Sequence, residues 1–145
     1  MFSTKTFTAI EAVLYIACQA GGNPVRSKDI CTYQCVTLRY LEHILQALVR
    51  RNILKGVRGP KGGYLLAKDR RKISLCDIYD TIVTLETLPE WIHSPLGHDV
   101  MQPLFNTLKD NLREQLAMRT IDDLYQQVLD RNINTGPSHR EDFEI

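Results

Sequence analysis

The fifteen residues from Ile53 to Ala67 limit the fold of this chain more than any others. They run Ile53-Leu54-Lys55-Gly56-Val57-Arg58, then Gly59-Pro60-Lys61-Gly62-Gly63, then Tyr64-Leu65-Leu66-Ala67. Three glycines and a proline within five residues do not sit inside a helix, because proline lacks the amide donor and glycine gives up the most backbone freedom. Short apolar segments on either side of such a turn predict a two-stranded β-hairpin. Arg58 and Lys61 make its tip basic. A nucleotide-binding loop fits poorly, since the Gly-x-x-x-x-Gly-Lys-Ser/Thr pattern is missing and a strand, not a helix, follows.

Helical spacing precedes the hairpin. From Phe7 onward Ile10, Val13, Leu14 and Ala17 recur with the period of one helical face, and Thr8 with Glu11 fits a capping box. Gly21-Gly22-Asn23-Pro24 ends that helix, because glycine accepts a left-handed cap and proline forbids continuation. Ser27 is placed to cap a short second helix through Ile30 to about Tyr33, and Thr37 to cap a third. The third sets Leu38, Leu41, Ile44, Leu45 and Leu48 on one face and leaves Arg39, Tyr40, Glu42, His43 and Gln46 on the rest. Arg50 and Arg51 stand in its last turn, where cations suit the negative end of the helix dipole. A short helix, a tight turn, a longer amphipathic helix and then a basic hairpin follow the order of a winged helix-turn-helix.

The net charge of +1 over 145 residues conceals a sharp division. Residues 1–75 hold 13 Lys and Arg against 4 Asp and Glu, a balance of +9, whereas residues 76–145 hold 5 against 13, a balance of −8. The basic part contains the whole winged unit and suits a phosphate-rich partner, which the acidic part would repel. Chance partition of solvated charges is the plain alternative. On duplex DNA the start of the third helix would enter the major groove while the hairpin reaches an adjacent minor groove. Thr37, Arg39, Tyr40 and Glu42 are then the candidates at the base edges: Arg39 suits guanine O6 and N7, and Glu42 accepts from the cytosine amino group. Arg58 is the candidate minor-groove probe, with Lys5, Lys28, Arg50, Lys55 and Lys61 to neutralise phosphates. Taken singly, each of these charges is more often merely solvated.

Beyond the hairpin, Ser74 caps a helix bearing Leu75, Ile78, Tyr79 and Ile82. Residues 84–100 read as a long connecting loop broken by Pro89, Pro95 and Gly97. Met101, Leu104, Phe105, Leu108, Leu112 and Leu116 then form an apolar stripe, with Asp99 as a possible cap and Pro103 near the helix start. A helix of about 20 residues there would be about 30 Å long, enough to pair with its copy in a second subunit, and dimerisation is favoured over packing on its own domain. Thr120 and Asp123 start a last helix with Leu124, Val128 and Leu129. The expected organisation is therefore mainly α: a winged helix-turn-helix DNA-binding domain over 1–83 with a two-stranded β wing, the loop 84–100, dimerisation helices over 101–133, and a polar, mobile tail over 134–145.

Tyr40-Leu41-Glu42, the whole string from Arg58 to Ala67, and the helix start Ile73-Ser74-Leu75-Cys76-Asp77-Ile78 together resemble the Rrf2 family of bacterial transcriptional regulators. The hairpin string is specific and the leucine patterns are not. The likeness is good from residue 1 to about 83 and weak further on, at Thr120-Ile121-Asp122-Asp123-Leu124. It implies a homodimer of two winged helix domains joined by long crossed helices, which usually represses promoters from a palindromic operator. Half-site spacing would be about one duplex turn, roughly 34 Å. Family members that sense iron, nitric oxide or redox state hold an iron–sulfur cluster with three cysteines in the segment before the dimer helix, and residues 84–100 contain none. The resemblance is thus to the cluster-free members: no cofactor is expected, and the signal is left open between a partner protein, a small molecule and thiol oxidation.

His93, His98, Glu86, Glu90 and Asp99 lie in that same loop, but exposed polar residues are the plain reading, because spacing alone defines no metal site. Cys18, Cys31, Cys35 and Cys76 are read as reduced thiols, since a chain with this apolar content needs no staples. Cys31 and Cys35 stand four apart beside the helix-turn-helix turn, where oxidation would disturb DNA binding and burial would make them inert. An enzyme is disfavoured: no paired carboxylates, Ser/His/Asp order or Cys/His cluster stands out. A winged-helix adaptor that binds protein instead of DNA is the remaining class. No apolar run approaches the roughly 20 residues that span a bilayer, and Glu11 interrupts the only candidate signal core, so a cytoplasmic protein is expected.

Overall fold

The computed structural model describes residues 3–136; the tail expected to be mobile lies mostly outside them. In chain order the elements are α1 (Thr4–Cys18), α2 (Ser27–Gln34), α3 (Leu38–Arg50), β1 (Leu54–Val57), β2 (Gly63–Leu66), α4 (Leu75–Val83), α5 (Gln102–Ala117) and α6 (Ile121–Asp130). This is a mainly helical winged helix. No helix among the described residues is long and apolar enough to cross a membrane.

Three helix starts follow from capping side chains. Thr37 accepts a hydrogen bond from the Tyr40 amide at 3.3 Å, while Ser74 with Asp77 and Thr120 with Asp123 each complete a reciprocal capping box. Two expected caps are corrected. Nothing between Ser3 and Phe7 breaks a helix, so α1 begins at Thr4 and Thr8 lies inside it, donating to the Thr4 carbonyl at 3.1 Å. Ser27 is already helical and Arg26 holds the capping position, because Val25 is fixed in extended form by pairing with Tyr64. The two backbone bonds of that pairing, 2.9 and 2.8 Å, join Val25 to the edge of the two-stranded hairpin as an isolated antiparallel bridge. A Cβ on Gly63 would collide with the Val25 carbonyl oxygen, so only glycine permits this approach.

The core gathers Val13, Ile30, Leu41, Ile44, Leu45 and Leu48 from the first three helices with Ile78 and Ile82 of α4, all fully buried. Leu38, expected on that face, is instead 45% exposed. Thr37, Leu38 and Arg39 are all exposed, so the start of α3 projects beyond the core.

The acidic second half closes onto this unit. Ile121 at the start of α6 is fully buried, its amide donates to the Ile73 carbonyl at 2.9 Å, and α6 packs against α1. Arg70 binds Asp122 at 2.6 Å and lies 4.1 Å from the Tyr125 ring centre. Arg113 of α5 grips Asp80 of α4 with two hydrogen bonds of 2.9 and 2.8 Å. These bonds hold the Asp80 carboxyl below the ordinary carboxylate range, against the opposing effect of burial. A depressed carboxyl stabilises the fold above its unfolded value of about 3.9, and that contribution is lost as pH falls through the lower folded value. Asp80→Asn is therefore expected to lower the thermal unfolding midpoint at about pH 7 and to lose this deficit in acid. A deficit that does not shrink at all as pH falls below the unfolded carboxyl value would contradict the assignment.

Residues 84–100 are more ordered than the expected loop. Helical turns occupy Glu90–His93 and Gly97–Met101, and the second runs directly into α5. Asp99 lies inside that turn and caps nothing, because the chain is already helical from Pro95. Pro103 does fall in the first turn of α5, but the helical run that starts at Pro95 places it inside that run, directly after the wider turn of Gly97–Met101, where its missing amide removes one backbone bond. The apolar stripe divides: Leu116 is buried and Leu112 packs partly on the core, Phe105 meets Trp91 edge-on at 5.5 Å, and Met101, Leu104 and Leu108 face outward.

Candidate nucleic-acid interface

The exposed side of α3 is set by helical spacing. Arg39, His43, Gln46 and Arg50 are all exposed and recur at i, i+4, i+7 and i+11, so they form one ridge. The other residues expected at the base edges are placed differently. Thr37 is exposed, with its hydroxyl oxygen accepting the capping bond. Tyr40 is half-buried on the α1 side, with the Lys5 ammonium 5.9 Å from its ring centre. Glu42 is half-buried on the opposite flank, where its charge is felt by Tyr64 of the hairpin and Cys31 of α2.

The hairpin and the start of α2 enclose an open groove of about 660 Å³. Arg26, Lys28 and Arg58 line it together with Val49 and Tyr64, and no acidic residue does. Arg26 donates to the Pro60 carbonyl at 2.7 Å, tying the hairpin tip to the helix-turn-helix. Sequence reasoning passed over Arg26; a basic residue directly before a helix start was the available signal. Lys55 and Lys61 are exposed on the strand and the tip, and Arg50 is exposed at the far end of α3, but none of these three lines the groove. Of the ten candidate positions, Arg39 and Arg50 fall on the ridge, Lys28, Lys55, Arg58 and Lys61 on the groove and its hairpin, and Lys5 and Tyr40 at one corner, while Thr37 caps α3 and Glu42 lies on its other flank.

The four cysteines are free. Cys31 is half-buried and Cys35 exposed at the left-handed end of α2. Burial first, and the Glu42 charge second, push the Cys31 thiol up, which disfavours the thiolate that oxidation chemistry needs. A cysteine-held cluster does not fit this chain. Cys18, Cys31 with Cys35, and Cys76 sit on three different helices, and no group of three or more His, Cys, Asp or Glu able to hold a metal is formed among the described residues. In the segment before α5, His98 Nδ1 instead lies 2.9 Å from Asp99 and Glu86 accepts from Ser3 at 2.6 Å, both exposed.

Comparison with known proteins agrees with this arrangement. A family model described as Rrf2, iron-dependent transcriptional regulator, matches residues 2–127. An HTH-type transcriptional regulator of Haemophilus influenzae is 34% identical, with 96% of this chain and 93% of that protein covered. The HTH-type transcriptional regulator ORF2 of Azotobacter vinelandii is 35% identical over 80 residues, 55% of this chain and 49% of the relative, so the match spans about half the length of that protein. The solved structure of IscR from T. potens superposes with a TM-score of 0.72 at 25% identity, covering 96% of each chain.

Proposed function

The chain belongs to the Rrf2 family of DNA-binding transcriptional regulators, which are not enzymes, and from that premise we propose that it works as a homodimeric, sequence-specific repressor on a palindromic operator in the bacterial cytoplasm. The observation that carries this reading is the union of two features on one side of the fold: a recognition helix whose start projects from the core, and a hairpin groove lined by Arg26, Lys28 and Arg58 without an acid. The ridge suits the major groove, and Arg58 and Lys61 suit the backbone and the neighbouring minor groove. Each dimer would carry two such surfaces about one duplex turn apart.

The decisive measurement is duplex binding against salt. Affinity is expected to fall steeply between about 50 and 200 mM salt, by roughly a thousandfold or more if six or more phosphates are neutralised. Lys61→Ala is expected to weaken all duplexes alike, whereas Arg39→Ala relaxes the choice of sequence at one position. Equal loss on every sequence for Arg39→Ala would remove its reading role.

In this reading the protein works without an iron–sulfur cluster, as the scattered cysteines support. Protein purified without oxygen is expected to be colourless; a visible charge-transfer band lost on exposure to air would overturn that. A thiol switch at Cys31 and Cys35 is the weaker reading, since the surroundings of Cys31 oppose the thiolate.

A further inference from the structure

The exposed ridge of α3 extends beyond the single arginine assigned to base reading. Measured along the helix from Arg39, His43 lies about 6 Å on, Gln46 about 10.5 Å and Arg50 about 16.5 Å, at 1.5 Å per residue. At about 100° per residue the four keep within an arc of roughly 60°, while Glu42 turns about 60° away towards the hairpin and Tyr40 about 100° towards α1. None of the four side chains forms a hydrogen bond or ion pair among the described residues, so all are free to meet a ligand. Tyr40 and Glu42, by contrast, are half-buried.

We propose that His43 and Gln46 are base-reading residues, which with Arg39 select a purine-rich run of about three base pairs in each half-site; this rests on the DNA-binding function above. The first and third of three successive base pairs stand two steps, about 7 Å, apart along the duplex axis and further apart along the inclined major groove that α3 would follow, so the stretch of about 10.5 Å from Arg39 to Gln46 spans such a run. Arg39 takes the O6 and N7 acceptors of guanine. The imidazole of His43 offers a ring N–H to the N7 acceptor of a purine. The carboxamide of Gln46 pairs with adenine, accepting from N6 and donating to N7. Arg50, further along the same ridge, reaches past the bases to a phosphate and adds no sequence preference.

The test is selection of duplexes from a random pool by the full-length protein and by His43→Ala and Gln46→Ala. The wild type is expected to select a guanine–purine–adenine run on one strand of each half-site. His43→Ala should lose the preference at the middle position and Gln46→Ala at the adenine, each weakening the selected site roughly five- to 150-fold while leaving unrelated duplexes unchanged. Both side chains are exposed, so the thermal unfolding midpoints should match the wild type. Variants that retain the wild-type preference, or that lose affinity equally on all duplexes, would overturn the inference and leave the function standing. A wild-type protein that selects no sequence at all would overturn both.

Discussion

If the proposed homodimer pairs through α5, Leu104→Asp combined with Leu108→Asp is expected to leave a monomer and to lower operator affinity by roughly a hundred- to ten-thousandfold. The expectation starts from a row of side chains. Leu96, Val100, Leu104 and Leu108 recur every four residues along the turn into α5 and the helix itself, and Met101 lies beside them; all five are exposed, Leu96 to 74%. Such a row is rarely left to water on a monomer, and a helix pair with a second copy would cover it. Because Leu104 and Leu108 are about half exposed in the single chain, the aspartates leave the fold itself largely unaffected. Inside an interface of leucines, two carboxylates without partners are costly, and the pair should separate. The loss on a palindrome would follow because the second half-site is then bound as an independent event and no longer at millimolar effective concentration. Light scattering reports the mass, and a duplex carrying one half-site provides the control, since binding there should persist. A double variant that keeps twice the 16.7 kDa mass would exclude this face from the contact.

What could be read from the sequence was short in range. The Gly59–Gly63 turn specifies its hairpin, and Thr37, Ser74 and Thr120 specify their helix starts, because each acts on residues no more than a few positions away. Features that depend on distant contacts were hidden. The bond from Arg26 to the Pro60 carbonyl spans 34 positions and that from Arg113 to Asp80 spans 33, and neither has a local pattern. Leu38 satisfies the helical period as well as Leu45 does, yet one is exposed and the other buried, since the period says nothing of where a helix leaves the core. Glu42 likewise stands close to Arg39 in the first turns of α3, but the hairpin folding back brings Tyr64 within reach of its charge. Helical spacing does contain the ridge of Arg39, His43, Gln46 and Arg50; separating it from its flanks needed the burial of Tyr40 and Glu42.

The second large effect is expected from a single methyl group. Gly97→Ala should break the packing of residues 90–105 and shift the emission of Trp91, the one tryptophan in the chain, to longer wavelength. A Cβ at position 97 would collide with the Trp91 carbonyl oxygen and stand 2.7 Å from Ser94 Oγ, and the first of these is backbone. The contact is set by a small relay: Ser94 Oγ donates to the Trp91 carbonyl at 3.0 Å and accepts from the Gly97 amide at 2.9 Å, while the His98 amide donates to the Ser94 carbonyl at 2.8 Å. That relay holds the Glu90–His93 turn against the start of α5, where the Trp91 ring meets Phe105. Overpacking alone costs about 1–3 kcal/mol, and here the clash falls on backbone that can relieve it only by moving the whole turn. Trp91 would then lose Phe105 and meet water. Ser94→Ala, which removes the relay without a clash, should produce a smaller shift in the same direction. Unchanged emission in Gly97→Ala would mean that the turn and α5 are not held together in this way. The segment before α5 is thus organised by a glycine, a serine and the Trp91 ring packed on Phe105 of α5.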